Sequence, residues 1–167
     1  PNLQGNPQIS GWQLAQRFAC NDGTVDLGDS TAQNLAMLRN GQGFAIGTED
    51  QVMFFDSHCR RVWESRTQAR AIATQIAEAG GYVISQDEAG VIRWFRIADG
   101  TKVLSIYASQ KGRSWVAWTP EGFYDASPDG EKLIGWHLNR DRTRAADFYP
   151  AARFRELYHD PAAITLA

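Results

Sequence analysis

The chain is poor in the residues that mark metal centres, membrane spans and nucleic-acid surfaces. It has two cysteines in 167 residues, no Cys-x-x-Cys pair and no two histidines at zinc-ligand spacing, so we expect no metal and no cofactor. No apolar run approaches the roughly 18–20 residues of a spanning helix, so no membrane is expected. The net charge is −2 and the 17 basic residues are dispersed, so no basic stripe predicts nucleic-acid binding.

The sparse cysteines also bear on the compartment. Cys20 and Cys59 are too few for a disulfide framework, which favours two separate thiols in a reducing compartment. The chain begins Pro1-Asn2-Leu3, without a signal peptide pattern and without an initiator methionine. We therefore expect a cytoplasmic protein whose given sequence is a mature product or an excised piece.

What the chain does have is turns and aromatic residues, which suit an all-β protein. The richest stretch, Trp115–Asn139, alternates apolar and polar residues around two turn signals, Pro120-Glu121-Gly122 and Pro128-Asp129-Gly130. This pattern predicts three short strands in a β-meander, over 115–119, 123–127 and 133–138. Both Asp99-Gly100 and Asn21-Asp22-Gly23 are further turn signals.

A unit of about 40 residues recurs. Gly43-Phe44-Ala45-Ile46 matches Gly81-Tyr82-Val83-Ile84, and both match Gly122-Phe123-Tyr124. Each of the first two units contains four short apolar runs, which is typical of a β-propeller blade. The sequence therefore predicts antiparallel four-stranded meander blades, about three blade-equivalents of a partial propeller, followed by a short C-terminal helix.

These patterns divide the chain. We expect a flexible arm over residues 1–10, a partial N-terminal blade or helix over 11–34, blades over 35–67 and 68–109, a last partial blade over 110–139, and a connector and helix over 140–167. Residues 12–20 stay open between strand and helix, because Trp12, Ala15 and Ala19 also fit one helical face.

Two stretches resemble the third strand of WD40-repeat blades and the turn before it: Asp22-Gly23-Thr24-Val25 and Ala89-Gly90-Val91-Ile92-Arg93-Trp94. Trp115–Asn139, continued through residues 146–154, resembles the C-terminal end of bacterial WD40-repeat proteins. Many of those proteins carry a caspase-like peptidase domain elsewhere. The Gly-His that opens strict repeats and their Trp-Asp pair are absent. The resemblance implies a propeller that recognises proteins.

Two groups of residues raise the question of chemistry. His58-Cys59 could be a nucleophile pair, but a strand–strand turn with no oxyanion hole beside it favours a structural role. Asp125, Asp129 and Glu131 lack the spacing of a calcium loop and are interpreted as solvated turn residues. We expect no catalytic residue in this chain, although the full-length parent could carry a peptidase.

A partner-binding surface is the remaining candidate site, since Trp and Tyr anchor interfaces and Arg meets acidic partners. Its candidate residues are Trp115, Trp118, Tyr124, His137, Arg140 and Arg142. The alternatives are that the aromatics belong to the core, that His137 bonds to backbone, and that the arginines are a solvated charge run.

Three functions follow in order. The first is a non-catalytic propeller module for protein–protein interaction, acting as scaffold or sensor. The second is an accessory region of a caspase-like cysteine peptidase whose catalytic domain lies outside this chain. The third is an independent sugar- or peptide-binding β domain. Because three blades are too few to close a propeller, self-association or completion by the rest of the propeller is also expected.

Overall fold

The structure, a computed structural model, describes residues 7–109, 113–138 and 147–167. The chain forms two compact units, Pro1–Lys102 and Val103–Ala167. Within the described part of the chain, no helix is both long enough and apolar enough to cross a membrane. The predicted division into arm, blades and connector stays a prediction.

The first unit begins with a three-stranded antiparallel sheet. Its strands, in order, are β1 (Ile9–Ser10), β2 (Arg17–Cys20) and β3 (Gly23–Asp26). Phe18 and Cys20 are buried while Arg17 and Ala19 are exposed, which is the period of a strand. Of the two alternatives for residues 12–20, the structure therefore shows the strand, at 17–20. Turns precede it, and no helix forms there.

The second sheet is a complete blade. It contains β4 (Asn34–Met37), β5 (Gly43–Gly47), β6 (Gln51–Asp56) and β7 (Arg61–Arg66), each paired antiparallel with the next. These four strands correspond to the four short apolar runs of the first 40-residue unit. The third set in this unit is β8 (Ala71–Ala77), β9 (Tyr82–Asp87) and β10 (Val91–Arg96), again antiparallel neighbours.

The blade formed by β4–β7 is covered on both faces. On one face Phe44, Ile46, Met53 and Phe55 pack with residues of the first sheet, including Phe18. On the other face a second cluster forms, and it contains Ala45, Val52, Phe54, Trp63, Val83 and Phe95. Because consecutive residues of a strand point to opposite faces, two-sided burial requires the continuous apolar runs of β5 and β6.

Trp63 shows how a turn glycine shapes the second cluster. Its indole Nε1 donates to Ile97 O at 2.7 Å, and its ring lies against Gly100, where an added Cβ would come 2.6 Å from Trp63 Cδ2. Gly100 also has φ +72°, a left-handed conformation that side chains disfavour. Only glycine meets both requirements.

We expect Gly100→Ala to destabilise the protein by about 2–5 kcal/mol, combining about 1–2 kcal/mol of left-handed strain with about 1–3 kcal/mol of overpacking. Gly81→Ala is the matched control, since Gly81 has φ +71° but no atom within 4 Å of the added Cβ. Gly81→Ala should therefore lower the free energy of unfolding only by the left-handed strain, about 1–2 kcal/mol. Urea denaturation of the two variants measures the difference, and equal losses would show that the Trp63 contact is not restrictive.

The second unit contains two sheets. One is formed by β11 (Lys102–Ala108, whose first residue belongs to the first unit), β12 (Trp115–Trp118) and β13 (Tyr124–Ala126). The other is formed by β14 (Gly135–Leu138) and β15 (Asp147–Pro150). Short 3-10 helices occupy Gly130–Leu133 and Ala151–Phe154, and the helices α1 (Arg155–Tyr158) and α2 (Pro161–Leu166) follow.

The predicted three-stranded meander over 115–139 is correct in its strands and wrong in one pairing, because the third strand is present as β14 but does not pair with β13. β12 and β13 pair, but Leu133 lies in a 3-10 helix and β14 pairs with β15. The free side of β13 is occupied instead by the C-terminal segment, with a parallel bridge between Tyr124 and His159 and a bond from Asp160 N to Tyr124 O at 2.9 Å.

The fold class is confirmed. The protein is mostly β, its sheets are antiparallel, at least one sheet is a complete four-stranded blade, and short helices end the chain. Asp160 caps α2 by accepting from Ala162 N and Ala163 N, with Pro161 at the first helical position.

Candidate functional site

The second unit carries an apolar groove of about 450 Å³. The end of β12, the turn after it, the segment before β14 and the β14–β15 pair supply its walls. Its lining residues are Trp118, Thr119, Pro120, Gly122, Leu133, Ile134, Gly135, Trp136 and Phe148. At its rim Leu133 is 44% exposed and Phe148 is 56% exposed, so the groove is open to partners. We call it the aromatic groove.

Glycines place the aromatic rings of this groove. Gly122, at φ +98°, leaves room for Trp136, whose Cη2 would lie 2.5 Å from an added Cβ. Gly135 leaves room in the same way for the Phe148 ring. The Trp136 ring is also held by Tyr158, at 4.7 Å between centroids. The Pro120-Glu121-Gly122 turn therefore positions an aromatic wall as well as reversing the chain.

Trp136 has one unusual feature. Its Nε1 is buried and has no hydrogen-bond partner among the described residues. A buried unpaired donor costs about 1–3 kcal/mol. The indole is therefore held by packing against Gly122 and Tyr158, and not by a polar contact.

The structure separates the predicted partner-binding residues. Trp118 lines the aromatic groove, whereas Trp115 is 39% exposed and, three residues away on the same strand, points to the opposite face. Tyr124 is fully buried, so the prediction that it contacts a partner directly is wrong. The side chain of His137, and Arg140 and Arg142 entirely, lie outside the described residues. The sequence pattern does not identify Leu133 and Phe148, because it places Leu133 in a strand and gives no sign that β15 pairs with β14.

Tyr124 is instead the centre of a polar cluster beneath the C-terminal segment. Its hydroxyl donates a short hydrogen bond to Glu131 Oε1, and Glu131 Oε2 lies 3.6 Å from Arg155 Nη1. The Glu131 side chain is 14% exposed, so its interpretation as a solvated turn residue is wrong. Asp125 Oδ1 lies 3.4 Å from His159 Nε2, while Asp129 is exposed and pairs with Lys132 at 2.7 Å.

Burial, followed by the hydrogen bond and the charge of Glu131, raises the pKa of Tyr124 far above its ordinary value. Because the folded state retains the proton to a higher pH than the unfolded chain, the stability from this group is complete below about pH 10 and is lost as the pH rises further. The cluster therefore makes the second unit sensitive to alkali.

We expect Tyr124→Phe to cost about 1.5–3 kcal/mol at neutral pH, the value of a hydrogen bond to a charged group. Above pH 10 the difference from the wild type should shrink. Denaturant titrations at pH 7 and above pH 10 measure both effects. Glu131→Gln is the control, since its amide oxygen still accepts from the hydroxyl. A difference that stays constant with pH would contradict the assignment.

The two cysteines are joined. Cys20 and Cys59 form a disulfide with Cα atoms 6.1 Å apart, so the expectation of two separate thiols is wrong. Residues distant in sequence meet because the first sheet packs on the β4–β7 blade, which no sequence spacing shows. The bond also leaves Cys59 with no thiolate for nucleophilic chemistry. Among the residues that the structure describes, no cluster of metal-ligating side chains occurs.

Comparison with known proteins gives likenesses among solved structures only. The chain matches no protein-family model and no curated protein. Among solved structures it is similar to the crystal structure of BamB from Moraxella catarrhalis, at 17% sequence identity and a TM-score of 0.45 over 62% of this chain. The match covers 35% of that protein, so this chain spans about a third of its length.

Proposed function

We propose that this chain is a WD40-like propeller module that recognises other proteins, as a scaffold or sensor, and is not itself a catalyst. The aromatic groove supports this proposal most directly. Its walls present Trp118 and Trp136, the residue type most enriched at the centres of protein interfaces. Its rim presents Leu133 and Phe148 to solvent.

The groove is also preorganised. Trp136 is fixed between Gly122 and Tyr158, and Pro120 and Gly122 fix the turn that forms one wall. A partner that binds there does not need to order these side chains, which removes about 0.5–1.5 kcal/mol of entropic cost for each side chain already fixed. An extended peptide segment of a partner protein is the occupant that suits an open, aromatic-lined groove.

Three other uses of the aromatic groove are alternatives to peptide recognition. The resemblance of Trp115–Asn139 to bacterial WD40 proteins supports an accessory role beside a caspase-like peptidase, whose catalytic domain would be outside this chain. A sugar ligand would also stack on Trp118 or Trp136. Another copy of the chain, or the remaining blades of a longer propeller, would cover the groove and keep it from other partners.

The test is selection of peptides from a displayed random library on the immobilised chain, followed by fluorescence titration of the selected peptides. We expect Leu133→Lys to weaken binding at least about tenfold, since it places an unpaired charge on an apolar rim. Val62→Lys is the matched control, because Val62 is 50% exposed but lies on β7. Equal binding by wild type and Leu133→Lys, or selection of no peptide, would contradict the proposal.

A further inference from the structure

The Cys20–Cys59 disulfide lies where two sheets of the first unit meet. Cys20 ends β2, and Cys59 lies in the turn between β6 and β7. Cys20 is 2% exposed and belongs to the hydrophobic cluster that contains Phe18 and Phe44. Cys59 packs against the same cluster and borders a polar hollow that also contains His58. The bond therefore connects the core to the surface at a sheet–sheet junction.

The backbone around the bond is shaped to bring the two sulfurs together. Asn21 and Cys59 both have positive φ, at 53° and 65°, although neither is glycine. Asn21 accepts from Gln8 N at 3.0 Å through Oδ1, and its Nδ2 donates to Ser57 O at 3.1 Å and lies 3.2 Å from Cys59 Sγ. One side chain thus joins the first sheet to the turn that holds Cys59.

Asp56 holds that turn from its other end. Asp56 Oδ1 accepts from His58 N and Arg60 N, both at 2.9 Å, and Oδ2 accepts from Arg60 Nε at 2.9 Å. Burial works against the charged form of Asp56, but these hydrogen bonds outweigh it and lower the pKa of its carboxyl. The turn is therefore fixed independently of the disulfide, and it places Cys59 opposite Cys20.

The surroundings also oppose reduction. Both cysteines border the hollow, but Cys20 is 2% exposed and Cys59 is half-buried, so a reducing thiolate attacks the Cys59 sulfur more readily and Cys20 leaves as a thiolate. That thiolate would be released among buried apolar side chains, where a charge is strongly disfavoured. The arrangement is that of a persistent structural cross-link.

We propose from this junction that the protein works in an oxidising compartment, where structural disulfides form and persist. Formation of the bond removes two electrons and two protons from the two thiols. A disulfide of the compartment's thiol-oxidising machinery accepts both and becomes two thiols. The expectation of a cytoplasmic protein rested in part on two separate thiols, and that premise does not hold.

The test traps thiols in cells of the native host that express the full protein from its own gene. Cells are quenched in acid, denatured and treated with a polyethylene-glycol maleimide, with or without prior reduction. Counted above the Cys20→Ser/Cys59→Ser variant, which shows the labelling of any other cysteine in the full protein, we expect no adduct without reduction and two adducts after it. Fractionation should place this oxidised protein apart from a cytosolic marker.

Cysteine variants establish that the label reaches both positions. Counted against the same double variant, Cys20→Ser should give one adduct without reduction and one after it. One or two adducts on the unreduced wild-type protein, beyond those of the double variant, would overturn the proposal. So would an oxidised protein that fractionates with the cytosolic marker.

Discussion

Replacing both cysteines, as Cys20→Ser/Cys59→Ser, should lower the free energy of unfolding of the first unit by about 4 kcal/mol. The bond closes a loop of 39 residues, and restricting a loop of that length in the unfolded chain accounts for a loss of this size. Urea denaturation followed by the fluorescence of Trp12, Trp63 and Trp94 measures it, since these tryptophans belong to the first unit.

The reduced wild-type protein provides the control for this prediction. A reductant should shift the wild-type midpoint down to that of the double serine variant and should leave the variant unchanged. Tryptophan fluorescence from the second unit should respond less, because the bond lies in the first unit. A wild-type midpoint that does not move on verified reduction would contradict the prediction.

Asp87→Ala should have the second large effect, a loss of about 3–5 kcal/mol, the usual result of removing one partner of a buried ion pair. Asp87 and Arg93 are 2% and 7% exposed, and Asp87 Oδ2 pairs with Arg93 Nη1. Asp87 Oδ1 also accepts from Val91 N at 2.9 Å, which fixes the turn between β9 and β10. Removing the carboxylate leaves a buried guanidinium without its counter-charge.

A second cation increases this cost. Burial and then the charge of Arg93 lower the pKa of Lys102, so the two positive groups already repel each other in the folded protein. Without Asp87 that repulsion is no longer compensated. The control is Asp87→Ala/Arg93→Met, which removes both charges and should be more stable than the single variant despite carrying more changes. Equal or lower stability of the double variant would contradict this account. Chemical denaturation measures both.

The strands of the first unit could be predicted from the sequence because their signals are local. Phe44–Gly47 and Val52–Asp56 are apolar runs bounded by turn residues, and the 40-residue repeat indicates that each set forms a blade. The pairing of β14 with β15 could not be predicted in the same way. It joins segments on either side of a long charged stretch, and nothing in the spacing of Trp136 and Tyr149 shows that they are partners.

The candidate site could be predicted only in part, because residue type alone does not show which aromatic side chains are exposed. Trp118 was found because aromatic residues mark interfaces, but Tyr124 has the same mark and lies in the core. The two residues differ because the Glu131 carboxylate accepts a hydrogen bond from the Tyr124 hydroxyl. This hydrogen bond allows the tyrosine to be buried. The disulfide was missed because it depends on how two sheets pack, and sequence patterns describe each sheet separately.

Because the β4–β7 blade is buried on both faces, loss of a neighbouring sheet affects more than one part of the first unit. Its two clusters share strands β5 and β6, so the sheets on either side are linked through a common wall. In stacked repeats each unit is stabilised chiefly by its neighbours. Loss of one flanking sheet therefore exposes a face of the shared wall and weakens the support of the other. A piece of this chain that kept only the β4–β7 blade would therefore expose apolar side chains on both faces of that wall.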